Sequence, residues 1–277
     1  MAAWYPLTQE QRREWLDLIR VHEACEDARA RRAHYAGGMH WKTVKGRQYL
    51  VRTLDGRGRQ KSLGPRSPET EAQHKTFHEG KAAARERLRS LEQALQYRTR
   101  VARAHGLGRL PRPLADTIRS SEGRNCLIGP EALYAYEAMA GVQFRGDFLV
   151  AREDELVWLP ETGGNGQVPD WLFTAPRVTA NAVDARGYPV ALTVLEPRVF
   201  VLYRYVLSKV AADGGRERER AEGVAALVHE LLPQYPMASE AEALAELPAE
   251  LRKVLPTLGE RVVPEDEWDD FPFERSP

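Results

Sequence analysis

The sequence predicts an α+β protein, on three observations. Helical periodicity dominates two long stretches before residue 105, short alternating runs cluster as hairpins at 39–63 and 179–195, and a strand–helix unit lies between them from Cys126 to Met139. The pattern gives an N-terminal helix, a small antiparallel β-sheet and a long helix, then a mixed sheet with flanking helices, then further helices. With 277 residues, 43% hydrophobic and 29% charged, the chain has enough apolar material for a substantial core. No run approaches the eighteen or so apolar residues that cross a bilayer, so no membrane partner is expected. The N-terminus lacks a secretory apolar stretch, and Cys25 and Cys126 are isolated thiols without metal or redox spacing, which together point to the cytoplasm.

Taken in order, Thr8 to Gln11 fits a capping box, and Trp15, Leu18, Ile19 and His22 follow at helical spacing, giving a helix to about Tyr35 that Gly37-Gly38 ends. Met39–Val44 and Gln48–Leu54 alternate around Lys45-Gly46, and Arg59–Leu63 follows the turn at Asp55-Gly56-Arg57-Gly58, which predicts three antiparallel strands. Ser67 is placed as the N-cap before Pro68, and Phe77, Ala84, Leu88, Leu91 and Leu95 then make the apolar stripe of a helix to about Ala104. His74 and His78 stand at i and i+4 there, a chelating spacing with no identifiable third ligand. The glycines and prolines at 106–113 make the likeliest internal boundary. The chain therefore divides at 1–105, 106–212 and 213–277.

The formal net charge is zero, but between Met39 and Arg66 eight basic residues, Lys42, Lys45, Arg47, Arg52, Arg57, Arg59, Lys61 and Arg66, face Asp55 alone, for a net charge of +7. With Trp41 and Tyr49 interleaved, this sheet is a candidate surface for RNA or DNA phosphates and stacked bases. Two other readings stay open: a solvated sheet face, and cations that reach over a neighbouring cleft. From Pro264 onward six acids against Arg275 give a net charge of −5, with Trp268, Phe271 and Phe273 among them. That tail is a candidate dock for a protein partner or for the chain's own basic sheet.

The middle of the chain carries the candidate chemistry. Cys126-Leu127-Ile128 stops at Gly129, and Pro130-Glu131 suits the first turn of a helix to about Met139, whose exposed amides would face a bound anion. Phe148–Trp158 reads as a strand in which Glu153 and Glu155 share a face and so could hold a divalent cation. Tyr134, Tyr136 and Met139 read as packing. Glu137 could pair with a cation such as Arg152 or simply face solvent. The hairpin Thr179–Asp184 and Tyr188–Leu195 follows, then a buried helix from Pro197 ended by Asp213-Gly214-Gly215, and an amphipathic helix over Arg216–Leu232 whose RERER start reads as a solvated turn.

The stretch Gly129-Pro130-Glu131-Ala132-Leu133-Tyr134-Ala135-Tyr136-Glu137 resembles the Gly-Thr-x-Ala-Leu-Tyr-Ala-Tyr-Glu signature of a bacterial family of nucleotidyltransferase-fold proteins. The similarity extends from Lys61-Ser62-Leu63-Gly64-Pro65-Arg66-Ser67-Pro68-Glu69 to Gly187-Tyr188-Pro189-Val190 and Pro197-Arg198-Val199-Phe200, covering roughly residues 37 to 232. The resemblance implies a nucleotidyltransferase-like core at 106–212. It also implies a phosphate turn at Gly129 for an NTP, a pair of acids for Mg²⁺ at Glu153 and Glu155, and a third acid on a neighbouring strand. Here the hydroxyl position after Gly129 is Pro130, the acid pair is lengthened to glutamate, and the third acid aligns with Ala191. Two-metal chemistry needs shared carboxylates, so the resemblance implies a degenerate member, a nucleotide- or nucleic-acid-binding module with little or no transfer activity. The alternative is an active Mg²⁺-dependent enzyme moving NMP from an NTP to a hydroxyl on protein, RNA or a small molecule. The strand bearing Glu153 and Glu155 is expected beside the strand bearing Ala191.

Overall fold

A computed structural model describes residues 3–54, 58–121, 126–149, 156–160, 168–237 and 244–258. Asp55, Arg57, Arg152, Glu153, Glu155 and the acidic tail lie outside the described residues. The chain forms two compact units, one of Gln9–Gly108 with Arg186–Pro189, the other of Met1–Thr8, Arg109–Ala185 and Val190–Pro277. The expected segments 106–212 and 213–277 thus fall almost wholly within the second unit. Among the described residues no helix is long and apolar enough to cross a membrane.

The first unit is a helical hairpin carrying a sheet. Helix α1 (Gln9–His34) buries Leu18, Ile19, Cys25 and Ala28, and α2 (Pro68–Ala104) answers with Phe77, Leu88, Leu95, Thr99 and Ala102. Both sets recur at three- and four-residue spacing, so each helix presents one apolar stripe to the other. Arg98 adds ion pairs to Glu14 at 2.7 Å and Asp17 at 3.0 Å. Strands β2 (Gly38–Val44), β3 (Arg47–Thr53) and β4 (Gln60–Pro65) form the antiparallel sheet in that order. The β2–β3 turn is Lys45-Gly46, both with positive φ, the combination a two-residue hairpin loop requires. Gly37, at φ 76°, ends α1 where a Cβ would stand 2.0 Å from the Thr53 carbonyl oxygen, so no other residue fits. Helix α2 starts with a complete capping box: Ser67 Oγ accepts from the Thr70 amide, and Thr70 Oγ1 accepts from the Ser67 amide.

The second unit is built around β6 (Arg177–Val183) and β7 (Pro189–Leu195), a hairpin tied on its outer face by Thr179 and Thr193, whose hydroxyls are 3.0 Å apart. Leu127 pairs in parallel with Val194 on one side and antiparallel with Trp158 on the other, which makes the arrangement mixed. Helices α3 (Arg112–Ser120), α4 (Leu133–Ala140), α7 (Pro197–Val210) and α8 (Gly214–Leu231) surround it. Strand β1 (Trp4–Pro6) pairs antiparallel with β5 (Val142–Phe144), and the short helices α5 (Gly146–Leu149), α6 (Trp171–Thr174) and α9 (Ala249–Val254) complete the unit.

Two expectations are corrected. The strand foreseen from Phe148 begins instead as the helical turn α5, because Phe148 stacks on Phe144 at 4.8 Å and fits against Gly223, where a Cβ would lie 2.4 Å from its ring. The glycines 214 and 215 open α8 rather than close α7, which ends at Val210. The strand expected to carry Glu153 and Glu155 beside β7 lies outside the described residues; at its expected end the Leu127 amide donates to the Thr193 carbonyl and the Leu159 amide to the Cys126 carbonyl, so the Leu127 segment lies between the chain at Trp158 and β7.

Replacing Ser67 by alanine removes one half of the capping box, and the variant should lose about 1 kcal/mol of stability, read as a lower urea midpoint with an unchanged slope.

Candidate functional site

The residues of the signature are a packing device before anything else. Leu133, Ala135 and Tyr136 are fully buried, with Tyr134 and Glu137 nearly so. Tyr136 meets Phe200 edge to face at 5.1 Å and donates its hydroxyl to the Leu195 carbonyl at 2.9 Å, which fixes α4 to the end of β7. Glu137 does not face solvent; Arg152, its expected partner, lies outside the described residues. Glu137 Oε1 accepts the Phe144 amide at 2.6 Å and pairs with Arg109 at 3.2 Å, joining α4 to β5. Arg109 also donates to the Phe144 carbonyl at 2.6 Å.

At the turn between the Leu127 segment and α4, Pro130–Ala132 forms a single 3₁₀ turn with Gly129 as its N-cap. Amides at such a point attract an anion. The anion already there is internal. The Glu131 side chain, fully buried, folds back so that Oε1 accepts the Gly129 amide at 3.2 Å and the Val157 amide at 2.9 Å, and its own backbone N–H is directed at the same carboxylate. Gly129 is needed for a steric reason. A Cβ there would sit 2.2 Å from Oε2 and 2.5 Å from Oε1 of Glu131. Pro130 has no N–H to contribute.

An arginine pair backs this turn. Arg204, on α7 and 4% exposed, donates to the Ile128 carbonyl and to Glu217 Oε2 at 2.8 Å, and Glu217 Oε1 accepts from Arg220 at 2.7 Å. The guanidinium of Arg204 also stacks on Phe200, 4.8 Å from the ring centroid. The RERER turn is therefore not simply solvated: Arg218 and Glu219 face water, but Glu217 and Arg220 turn inward. Burial is the main influence on the Glu131 carboxyl and raises its pKa; the three amides and Arg204 oppose it. Burial likewise lowers the pKa of Arg220, against the pull of Glu217.

The expected sites are distributed as follows. Gly129 stands at a turn where its own amide is donated to Glu131 Oε1 and the Ala132 amide to the Gly129 carbonyl. Glu153 and Glu155 lie outside the described residues, and Ala191 is exposed on β7 with no ligating atom. Among the described residues no group of three or more His, Cys, Asp or Glu side chains gathers as a metal site. His74 and His78 meet at a tilt with ring centroids 4.4 Å apart, and His78 Nε2 lies 2.9 Å from the Met39 carbonyl.

The basic sheet is two-faced. Register places Met39, Trp41, Leu50, Arg52 and Lys61 on one face, and Lys42, Arg47, Tyr49 and Val51 on the other. The first face meets α2: Trp41 lies against His74, and Arg52 lies 4.0 Å over Phe77. Arg52 also donates to the His34 and Ala36 carbonyls at 3.0 Å, closing the end of α1. Arg66 bonds Glu71 and Gln48, both at 2.6 Å, and lies 5.2 Å from the Trp41 ring. Lys42, Lys45, Arg47 and Lys61 are exposed and make no ion pair among the described residues, and Arg59 is exposed beside them. The Arg204–Glu217–Arg220 cluster and the Glu131 carboxylate were not foreseen as site features. The only sequence sign of them was the Pro130-Glu131 pair at a helix start.

These features define an α+β protein with a mixed core sheet, an internal anion at its strand-to-helix turn and a two-faced basic sheet. Residues 165–246 match the family model described as Nucleotidyltransferase, which supports a nucleotidyltransferase-type protein. The matched stretch contains Ala191, Arg204, Glu217 and Arg220, and begins after the Gly129 turn. Comparison with curated proteins and with solved structures returned no match.

Burial sets a pH response at Glu137, whose carboxyl is raised to about 7 chiefly by desolvation, with Arg109 and the Phe144 amide opposing. A raised carboxyl pKa means that the folded chain holds a proton the unfolded chain has released, so its stabilising effect is present at low pH and fades as pH rises from about 4.5 to about 7. The Glu137→Gln variant should therefore gain on the wild type between pH 5 and pH 8, as seen in paired urea titrations at the two pH values.

Proposed function

We propose that this chain is a nucleotidyltransferase-fold protein whose transfer chemistry is lost or vestigial and which works as a nucleic-acid-binding module. The observation that carries the reading is the Glu131 carboxylate seated on the amides of Gly129, Glu131 and Val157. A triphosphate approaching that turn meets a buried acid instead of free donors, and both charge and volume oppose it. Pro130 supplies neither hydroxyl nor N–H, and Ala191 cannot complete a set of metal carboxylates. With Glu153 and Glu155 as the remaining acids, Mg²⁺ and NTP bind weakly on this reading. The outward face of the small sheet supports the binding role, because Lys42 and Arg47 flank Tyr49 there and Lys45 stands at the adjoining turn.

Two measurements test it. Incubated with labelled NTPs, Mg²⁺ or Mn²⁺ and a cell extract, the wild type should label no more product than the Glu153→Ala, Glu155→Ala double variant. Strong labelling that the double variant abolishes overturns the degenerate reading.

Single-stranded RNA or DNA should be retained by the wild type at low salt, with affinity falling steeply as salt rises. The Lys42→Glu, Arg47→Glu variant should bind more weakly, with a log–log salt slope smaller by about 0.7 for each phosphate that the protein no longer neutralises. Unchanged retention by that variant removes the sheet from the proposal.

A further inference from the structure

The first unit contains a cleft that the basic sheet does not account for. Its volume is about 550 Å³, and it is lined by Arg29, Arg32, Tyr35, Lys81, Arg85 and Leu88 with small residues between them. That size suits a small ligand or a short piece of a larger one. Arg29 and Arg32 are three apart on α1, and Lys81 and Arg85 are four apart on α2, so each helix presents two cations along one stripe. No carboxylate is among the lining residues. Arg29 is paired outside the cleft, with Glu26 and Glu92. Arg32 and Arg85 are exposed and make no ion pair or hydrogen bond among the described residues.

Cations at the C-terminus of a helix are ordinarily explained by the helix dipole. Here that role is already filled. Lys81 Nζ donates to the Gly37 carbonyl at 2.5 Å, and Arg52 holds the His34 and Ala36 carbonyls. The guanidinium groups of Arg32 and Arg85 are surplus to it and add to a local positive field with no acid in the lining. The floor is shaped as well as charged. Tyr35 lies across α2 at Gly80, where a Cβ would be 2.4 Å from the Tyr35 hydroxyl, and its ring rests against Phe77 with centroids 5.7 Å apart.

We propose that this cleft is a phosphate-binding site, with Arg32 and Arg85 gripping a group that carries more than one phosphate. Arginine's planar fork matches phosphate oxygens two at a time, which a lysine-only patch cannot do. The phosphates belong either to a nucleic-acid strand or to a free polyphosphorylated small molecule. None of the lining residues lies in the Met39–Arg66 segment, so the site goes beyond the binding face described above.

Calorimetric titration of the full chain with inorganic tripolyphosphate, at low salt and matched ionic strength, tests the site directly. The wild type should bind, the Arg32→Gln, Arg85→Gln variant should bind about tenfold more weakly or worse, and a variant that removes two exposed cations outside both the cleft and the basic sheet, Arg12→Gln, Arg103→Gln, should stay within about twofold of the wild type. No binding by the wild type, equal binding by the Arg32 and Arg85 variant, or equal weakening in the Arg12 and Arg103 variant each overturns the proposal. A parallel titration with single-stranded oligothymidylate distinguishes the source. Displacement of the oligonucleotide by tripolyphosphate, with weakening in the Arg32 and Arg85 variant, assigns the site to a strand. Oligonucleotide binding untouched by that variant, while tripolyphosphate binding disappears, assigns it to a free phosphorylated ligand.

Discussion

The carboxylate of Glu131 is the constraint on which the core of the second unit depends. A buried acid is tolerable only where donors reach it, and here the amides of Gly129 and Val157 both meet Oε1, while Oε2 has no hydrogen-bond partner among the described residues. Because those two amides come from different segments, the same side chain holds the strand-to-helix turn to the chain at Trp158. The requirement for glycine at 129 follows from it. Behind the turn, Arg204 donates to the Ile128 carbonyl and pairs with Glu217, which also pairs with Arg220, so α7 is tied to the start of α8.

That arrangement makes the relation between fold and chemistry concrete. A turn of this kind offers unpaired N–H groups, and those groups must be satisfied by something when the segment is buried. An external phosphate is one solution; an internal carboxylate is another, and it does not depend on ligand concentration. Here the second is realised, as a structural contact that joins Gly129 to Val157.

Much of the architecture was legible in the residues. The three strands, the Ser67 cap, the long helix and the hairpin ending at Leu195 all announce themselves through local rules of period, cap and turn. What was not legible depended on contacts between distant positions. Phe148 looks like the start of a strand until Phe144 and Gly223 are seen to hold it in a helical turn. RERER looks solvated until Arg204 reaches Glu217. Arg52 looks like one more surface cation, yet Phe77 and the end of α1 claim it, and nothing within the +7 segment distinguishes it from Arg47. The cleft between α1 and α2 was invisible for the same reason, since Arg32 and Arg85 are more than fifty residues apart and each looks ordinary in its own helix.

The pairing of Trp4–Pro6 with Val142–Phe144 bears on how the second unit closes. The first unit is almost continuous in sequence, whereas the second takes a strand from before it and the rest from after it. Joining β1 to β5 closes a loop of more than a hundred residues, an entropic cost of about 4 kcal/mol for an unstructured connection. A connection already folded into a helical hairpin has a shorter free path and so a smaller closure cost. Removing the first eight residues would not trim a loose end; it would take away the strand that pairs with β5.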